Sequence, residues 1–211
     1  MRDEAAVASV NPPAWAQALL GGVLPRRTEQ DISGDLLEEY RVRAATAGAR
    51  RADGWYARQA LGFLWRLAGV FAALVAIGVL TREIYDVVVG APPDGNWSSR
   101  SMWTTYSAVL TYVATGFYAG FRTRRLTAGV LAAWTAHVLG DLAGIAGMIA
   151  LYLAVLRHDP AAQQLFMVTG GWEETVVLPV VLLIPVTFLS VLGGMAGTVV
   201  GRRPAVVSHS H

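Results

Sequence analysis

The sequence predicts an all-α membrane protein in which two or three short cytoplasmic helices precede four transmembrane helices, with both termini in the cytoplasm. Three observations support this fold class. The 211-residue chain is 54% hydrophobic and only 15% charged, which is too apolar for an ordinary soluble domain. It contains four long apolar runs, and its arginines gather at the ends of those runs. We therefore expect a cytoplasmic helical segment over 1–62, a transmembrane body over 63–203 and a flexible tail over 204–211.

The amino-terminal segment is expected to form two short helices and the start of a third. Apolar residues at helical spacing lie between the Pro12-Pro13 pair and Pro25, which predicts the first helix. The second is expected to end at Gly48, because glycine commonly follows the last residue of a helix. The third begins near Ala52 and either continues into the first apolar run or bends near Gly62.

Each apolar run is close to or above the roughly 20 residues that cross a bilayer core of about 30 Å. The runs cover 64–80, 103–121, 128–156 and 176–200. His137 and Asp141 interrupt the third run, but the rest of it is apolar enough to insert if neighbouring helices shelter the two polar groups. Four spans are therefore predicted.

The distribution of arginine predicts the orientation. Arginine near helix ends is kept on the cytoplasmic side far more often than it is translocated. Of the 17 basic residues, all arginine, fourteen fall in the segment up to residue 66, in the second connection or in the tail, and three fall in the other connections. This pattern predicts a multi-pass protein of the cell membrane with both termini inside.

Several classes of function are disfavoured by the sequence. Cysteine is absent, which excludes disulfides, thiolate nucleophiles and cysteine-ligated metals. The sequence has no basic stripe typical of nucleic-acid binding. It also has no phosphate-binding loop and no catalytic signature. We expect a protein without enzymatic activity, cofactor or metal site, whose partners are the lipid bilayer and either a transporter subunit or further copies of itself.

One family resemblance is carried by four short stretches of the amino-terminal segment. They are Pro12-Pro13-Ala14-Trp15-Ala16, Leu24-Pro25, Gly34-Asp35-Leu36-Leu37-Glu38-Glu39-Tyr40-Arg41 and Trp55-Tyr56-Ala57-Arg58-Gln59. Together they resemble the permease prefix domain, which precedes ABC-type permeases of the macrolide-exporter kind. The resemblance covers residues 12–62 and implies a prefix-like cytoplasmic module associated with a transporter. The short connection between the first two apolar runs leaves no room for the exporter itself.

The acidic core of that stretch has two interpretations. Asp35, Glu38, Glu39 and Tyr40 form either a docking surface for a partner or a solvated helix face with one packed aromatic residue. The sequence leaves both interpretations open.

Glycines spaced by four residues predict close helix packing in the membrane. They are Gly116 and Gly120 in the second span, Gly140 and Gly144 in the third, and Gly193, Gly197 and Gly201 in the fourth. This spacing places each set on one helix face, where missing side chains let two backbones approach. Whether the fourth-span set packs within the chain or against a second copy is open.

His137 and Asp141 are the sharpest chemical feature of the sequence. Four residues apart, they share one face of the third span. A carboxylate near the bilayer centre costs several kcal/mol unless it is paired, hydrated or protonated. Thr111 and Thr115 of the second span are expected at a similar depth and are candidate hydroxyl partners. The pair is either a proton or ion site or an interhelical clamp.

Two functions follow as hypotheses. The first is a non-enzymatic accessory or regulatory membrane protein associated with a transporter. The second is a small proton- or ion-coupled carrier that uses His137 and Asp141.

Overall fold

The computed structural model describes residues 11–90, 98–168 and 171–201. Every regular element in these ranges is helical, which confirms the predicted all-α class. The seven α-helices are α1 (Ala14–Val23), α2 (Glu29–Ala47), α3 (Ala49–Val89), α4 (Ser98–Thr123), α5 (Leu126–Ala154), α6 (Pro160–Val168) and α7 (Leu178–Gly201). A 3-10 turn (Leu156–His158) follows α5, and a π-helix (Glu173–Val177) precedes α7. The predicted tail over 204–211 lies outside the described residues.

The helix bounds in the amino-terminal segment agree with the sequence. Helix α2 ends where predicted, because Gly48 adopts a φ of 86° that an L side chain would resist. Thr28 occupies the N-cap position of α2, but its side chain makes no capping hydrogen bond. The backbone of α1 ends before Pro25, and its last turn is closed by the Leu24 amide donating to Leu20.

Helix α3 is one uninterrupted helix of 41 residues. At 1.5 Å per residue it is about 60 Å long, roughly twice the thickness of a bilayer core. Gly62 lies inside this helix, and a Cβ added there would meet nothing within 4 Å. The predicted boundary between residues 62 and 63 therefore falls inside a helix that belongs to both regions.

The amino-terminal half of α3 completes a small core with α1 and α2. Tyr40 of α2 is buried and packs edge-on against Tyr56 of α3, with ring centroids 5.8 Å apart. The buried core residues are Ala16, Leu20, Leu24, Tyr40, Ala52, Tyr56 and Ala60. We call α1, α2 and α3 up to Phe63 the amino-terminal module. The three helices of the module thus pack on one another.

The remainder of α3 forms a four-helix bundle with α4, α5 and α7. Helix α4 packs along α7, α5 packs along α3, and α5 also touches α4 and α7. The end of the bundle that carries the module is filled by small residues, namely Ala68, Ala72, Ala119, Ala128, Ala132 and Ala136. We call this the module end, and the other the far end.

Among the described residues, three helices are long and apolar enough to cross a membrane: Ala49–Asp86, Leu126–His158 and Leu178–Gly201. Their apolar side chains face outward, as shown by Val70, Ile77 and Ile184, which are 72%, 60% and 77% exposed. Such exposed apolar surface requires a lipid or protein covering. Helix α4 has 26 residues but does not reach the same hydropathy, because threonine, serine and tyrosine recur along it.

Short elements close the far end of the bundle. An oxygen of Asp159 accepts hydrogen bonds from the amides of Ala161 and Ala162 at 2.9 and 3.3 Å, which caps α6. Tyr152, Phe166 and Trp172 pack as an aromatic cluster with ring centroids 5.4 to 6.4 Å apart. This cluster holds α6 and the π-helix against the end of α5.

Candidate functional site

His137 links three helices of the bundle. Its side chain is buried, with 1% exposure for the residue. Its Nε2 lies 2.8 Å from the backbone carbonyl oxygen of Pro179 in α7. Its Nδ1 lies 2.9 Å from the hydroxyl of Tyr112 in α4 and 2.8 Å from Oδ2 of Asp141, one turn along α5. Because a carbonyl only accepts, Nε2 carries a hydrogen and donates it to Pro179.

The hydroxyl that reaches the pair belongs to Tyr112 rather than to Thr111 or Thr115, the two residues expected from depth alone. The Thr111 hydroxyl donates to the carbonyl of Ser107 at 2.7 Å, and the Thr115 hydroxyl donates to that of Thr111 at 2.6 Å. Threonine in a helix readily satisfies its hydroxyl in this way. Tyrosine carries its hydroxyl too far from its own backbone to do so, and Tyr112 therefore crosses to α5.

A cavity of about 320 Å³ lies beside this network, between α3, α4, α5 and α7. Asp141 and Tyr112 form part of its wall, and Thr111 also lines it. Most of the remaining wall is aliphatic, including Val75, Val79, Ile145 and Leu182. The Asp141 side chain is 12% exposed, whereas that of His137 is 2% exposed. Asp141 is thus the member of the pair that meets the cavity.

A second pocket of about 600 Å³ adjoins the cavity at the far end of the bundle. The two share Gly78, Arg82, Thr104 and Ser107 in their walls. Arg82 forms an ion pair with the buried Asp86 at 3.7 Å. The cavity is therefore approached from the far end past charged groups, while alanines fill the module end.

The predicted glycine sets make backbone contacts, and they do so within the chain. A Cβ added at Gly116 would meet the backbone of Ser190, and one added at Gly120 would lie 2.6 Å from the carbonyl oxygen of Gly194. The opposite helix gives the reciprocal result, because Gly193, Gly197 and Gly201 face the backbone of α4 between Val113 and Phe121. The structure thus pairs α4 with α7 through glycine on both sides.

Gly140 and Gly144 of α5 contact α3 instead. A Cβ added at Gly140 would lie 2.6 Å from the Cβ of Val75, and one at Gly144 would lie 2.9 Å from Val79. These two glycines bring α3 close beside Asp141, and they fix its depth near residues 75 to 79 of α3.

The four residues of the predicted docking surface divide between surface and core. Asp35, Glu38 and Glu39 are exposed, and Glu39 forms an ion pair with Arg43 at 2.9 Å. Tyr40 is buried, and its hydroxyl lies 2.8 Å from an oxygen of Asp53 and 3.0 Å from the carbonyl oxygen of Asn11. Burial, followed by the hydrogen bond to Asp53 and its negative charge, raises the pKa of Tyr40 to about 12. Tyr40 is therefore a core residue of the module and not part of a docking surface.

The module is fastened to the connection between α4 and α5. Arg125 in this connection forms an ion pair with Glu29 at the start of α2. The Arg26 amide donates to the carbonyl of Thr123 at 3.4 Å, and the Thr127 hydroxyl donates to that of Gly22 at 3.1 Å. The module and this arginine-rich connection consequently lie at the same end of the bundle.

Sequence reasoning missed Tyr112, the Pro179 carbonyl and the charged pair near the cavity. Tyr112 precedes Ala119 by two turns on the face of α4 that meets α5, a periodicity visible in the sequence. The Pro179 carbonyl left no sequence signal, because a backbone carbonyl is present at every residue and only the packing of α7 against α5 selects this one. Within the described ranges, no group of three or more His, Asp or Glu side chains is placed to hold a metal ion.

Neither a scan against protein-family models nor searches of curated proteins and of solved structures found a match to this chain.

Proposed function

We propose that this chain is a non-enzymatic regulatory or accessory protein of the cell membrane, with four spans and cytoplasmic termini, which docks a transporter component through its module. The observation that carries the proposal is the continuity of α3. This one helix supplies Ala52, Tyr56 and Ala60 to the module core, and Val75 and Val79 to the wall of the cavity. A change at the cavity that tilts or rotates α3 therefore moves the module with it.

The length and packing of α4 support a fourth span. Its 26 residues extend about 39 Å, enough to cross a bilayer core. It packs along α7 through backbone contacts, while Leu110 on its other side is 71% exposed. Polar groups along it are satisfied locally, since Ser107 and Thr111 donate to carbonyls of their own helix.

The position of the module supports an orientation with the termini inside. The module and the connection that carries Arg122, Arg124 and Arg125 lie at the same end of the bundle. Both regions are rich in arginine, and the positive-inside rule places such regions in the cytoplasm.

The exposed carboxylates of α2 support docking of a partner. Asp35 and Glu38 are exposed and lie about one turn apart, away from the core face that carries Tyr40. The resemblance of residues 12–62 to the permease prefix domain favours a transporter component as the partner. A basic surface on that component would complement this face.

Reversal of these charges is expected to release the partner. In the Asp35→Arg/Glu38→Arg variant, recovery of the co-purified transporter component from gently solubilised membranes should fall by about tenfold or more, because like charges would then meet. Gln30→Arg, which adds positive charge to another exposed part of α2, should leave recovery unchanged. Equal recovery with both variants would remove the docking proposal. These point variants test docking more cleanly than a deletion of residues 1–60 would, because the deletion would also remove Tyr56 and Ala60 from the core of the module.

The contact of Asp141 with the cavity favours a second function, a proton- or ion-coupled carrier. For such a carrier, proton flux into vesicles that contain a pH-sensitive dye should fall by about tenfold or more in Asp141→Asn, because the amide cannot exchange a proton. Asp159→Asn, which alters a carboxylate outside the cavity, is the matched control. Flux in Asp141→Asn equal to that of the unmodified protein would reject the carrier.

A further inference from the structure

We propose that the cavity beside Asp141 binds a monovalent organic cation, and that one proton leaves the His137–Asp141 pair when the cation binds. The proposal rests on the proposed regulatory function, because it names the class of ligand that this protein would sense.

The first step is the proton count of the pair. His137 Nε2 is a donor to the Pro179 carbonyl, so one ring hydrogen is fixed there. The other ring nitrogen lies 2.8 Å from an oxygen of Asp141. A neutral Nδ1 and an ionised carboxylate would face each other with lone pairs and would repel. We therefore assign one proton to the pair, on Nδ1 or on the carboxyl group, which gives the pair a net charge of zero. The contact is an ion pair rather than an aligned hydrogen bond, so this oxygen of Asp141 has no hydrogen-bond partner.

The second step is that His137 keeps two hydrogen-bond partners when the pair loses this proton, while the Asp141 carboxylate is no longer held against Nδ1. When the proton leaves, Nδ1 becomes an acceptor, and the Tyr112 hydroxyl 2.9 Å away can donate to it. The hydrogen bond to Pro179 is unchanged. Asp141 is then an ionised carboxylate that faces the cavity and has lost its partner proton. A buried carboxylate in this state needs a cation.

The third step is the character of that cation. A metal cation such as Mg²⁺ or Ca²⁺ needs about six oxygen ligands or more. The wall next to Asp141 is mostly aliphatic, with Val75, Val79 and Ile145 close by. Tyr112 adds an aromatic ring to the same wall, and aromatic rings attract organic ammonium groups. At the inner end of the cavity, the Asp141 carboxylate, the Tyr112 ring and the aliphatic lining suit an organic ammonium ion. A cavity of about 320 Å³ is within the size range of small-molecule sites.

The other ionisable groups around the cavity come from the neighbouring helices. Helix α3 contributes Arg82 and Glu83, and α4 contributes Tyr112. The lining residues from α7 are Leu178, Pro179 and Leu182, none of which is ionisable. Because Asp141 lies near the depth of residues 75 to 79 of α3, Arg82 and Glu83 are about one to two turns nearer the far end. They flank the approach from the wider pocket, and Asp141 is the carboxylate at the inner end.

The exchange balances in charge and atoms. One cation enters, one proton leaves to water, and the net charge of the cavity with its ligand remains the same. No bond other than the shared N–H or O–H bond is broken. The exchange thus avoids placing an uncompensated charge in the bilayer.

The test uses the full-length protein in phosphatidylglycerol nanodiscs, a lipid without an ammonium group that could compete. The probe is benzyltrimethylammonium, whose permanent charge cannot release a proton of its own. Calorimetry in two buffers of different ionisation heat should count about one proton released per cation bound. The affinity should rise about tenfold per pH unit while the pair retains its proton. In Asp141→Asn, binding should be weaker by about thirtyfold or more and independent of pH.

Two controls distinguish binding through charge from binding through hydrophobic contact, and binding in the cavity from binding elsewhere on the protein. Neopentylbenzene, the neutral carbon analogue of the probe, should bind far more weakly than the cation. Asp159→Asn should bind the cation as the unmodified protein does, because Asp159 caps α6 outside the cavity. Empty nanodiscs correct for partition into lipid.

Three results would overturn the proposal: no binding of the cation, equal binding of the neutral analogue, or binding without proton release and without pH dependence. Each is measured on unmodified protein, so a misfolded variant does not obscure it. Loss of the cation site with retained co-purification of the transporter component would reject only this inference. If the Asp35→Arg/Glu38→Arg and Gln30→Arg variants recover the transporter component equally while proton-linked cation binding is intact, only the docking function is rejected.

Discussion

Replacement of both Gly193 and Gly197 by alanine is expected to separate α4 from α7. Among pairs of glycine-to-alanine substitutions in the bundle, this pair should cause the largest loss of stability. An added Cβ would lie 3.0 Å from the Phe117 amide nitrogen at Gly193, and 2.8 Å from the Phe121 amide nitrogen at Gly197. Both obstacles are backbone atoms of a helix, which cannot rotate aside as a side chain can. We expect a loss of about 3 kcal/mol or more in the free energy of unfolding, at or beyond the upper end for overpacked cores.

The measurement is an unfolding titration with sodium dodecyl sulfate, followed by circular dichroism. Gly62→Ala is the matched control, because Gly62 also lies inside a helix but has nothing within 4 Å of an added Cβ. It should be neutral or stabilising by about 0.5 to 1 kcal/mol, since alanine is the better helix former. Similar midpoints for the two variants would show that α4 and α7 are not held by this backbone contact.

The glycine pattern also shows how far the sequence could predict the fold. Spacing by four specifies a helix face, and the faces that carry Gly116 and Gly193 are indeed buried. Spacing does not specify the partner helix. Gly140 packs against Val75 of α3, a helix in which no glycine stripe marks the contact. Such pairings depend on the combined shapes of all four helices, which no single helix encodes.

Local signals predicted the helix bounds better than the shape of the helices. Gly48 ended α2 as expected, because a positive φ is a local property. Near Gly62 the chain continues as one helix, the first of the two outcomes expected there, and no proline interrupts the hydrogen bonds of α3. The π-helix before Pro179 was not predicted.

The candidate site was predicted in part for a similar reason. The spacing of His137 and Asp141 is local and brought them together at 2.8 Å. Depth along α4 selected Thr111 and Thr115 as partners, but the orientation of the helix selected Tyr112. In the module, Tyr40 was expected either in a docking surface or as the packed aromatic residue of a solvated helix face. It is buried because α3 continues past it and supplies Tyr56 and Asp53.

Replacement of His137 by leucine is expected to cost about 3 to 5 kcal/mol, the range for breaking one side of a buried polar pair. The change leaves the Asp141 carboxyl, the Tyr112 hydroxyl and one acceptor position of the Pro179 carbonyl without the imidazole. Asp141→Leu should cost less, because His137 keeps Tyr112 and Pro179 as partners. The same detergent titration measures both.

The double variant His137→Leu/Asp141→Leu should cost less than the sum of the two single changes, by about 1 to 3 kcal/mol, because removal of both members leaves no unpaired ionisable group. Thr187→Val is a control between α5 and α7, two of the three helices that His137 links. It removes the hydrogen bond at 2.8 Å from the Trp134 indole nitrogen to the Thr187 hydroxyl, and should cost only about 0.6 kcal/mol. If the single changes simply added, His137 and Asp141 would be independent residues, and neither a clamp nor a shared proton would describe them. A large coupling energy together with unchanged cation binding in Asp141→Asn would assign the pair to structure alone, because the cation would then bind without the carboxylate.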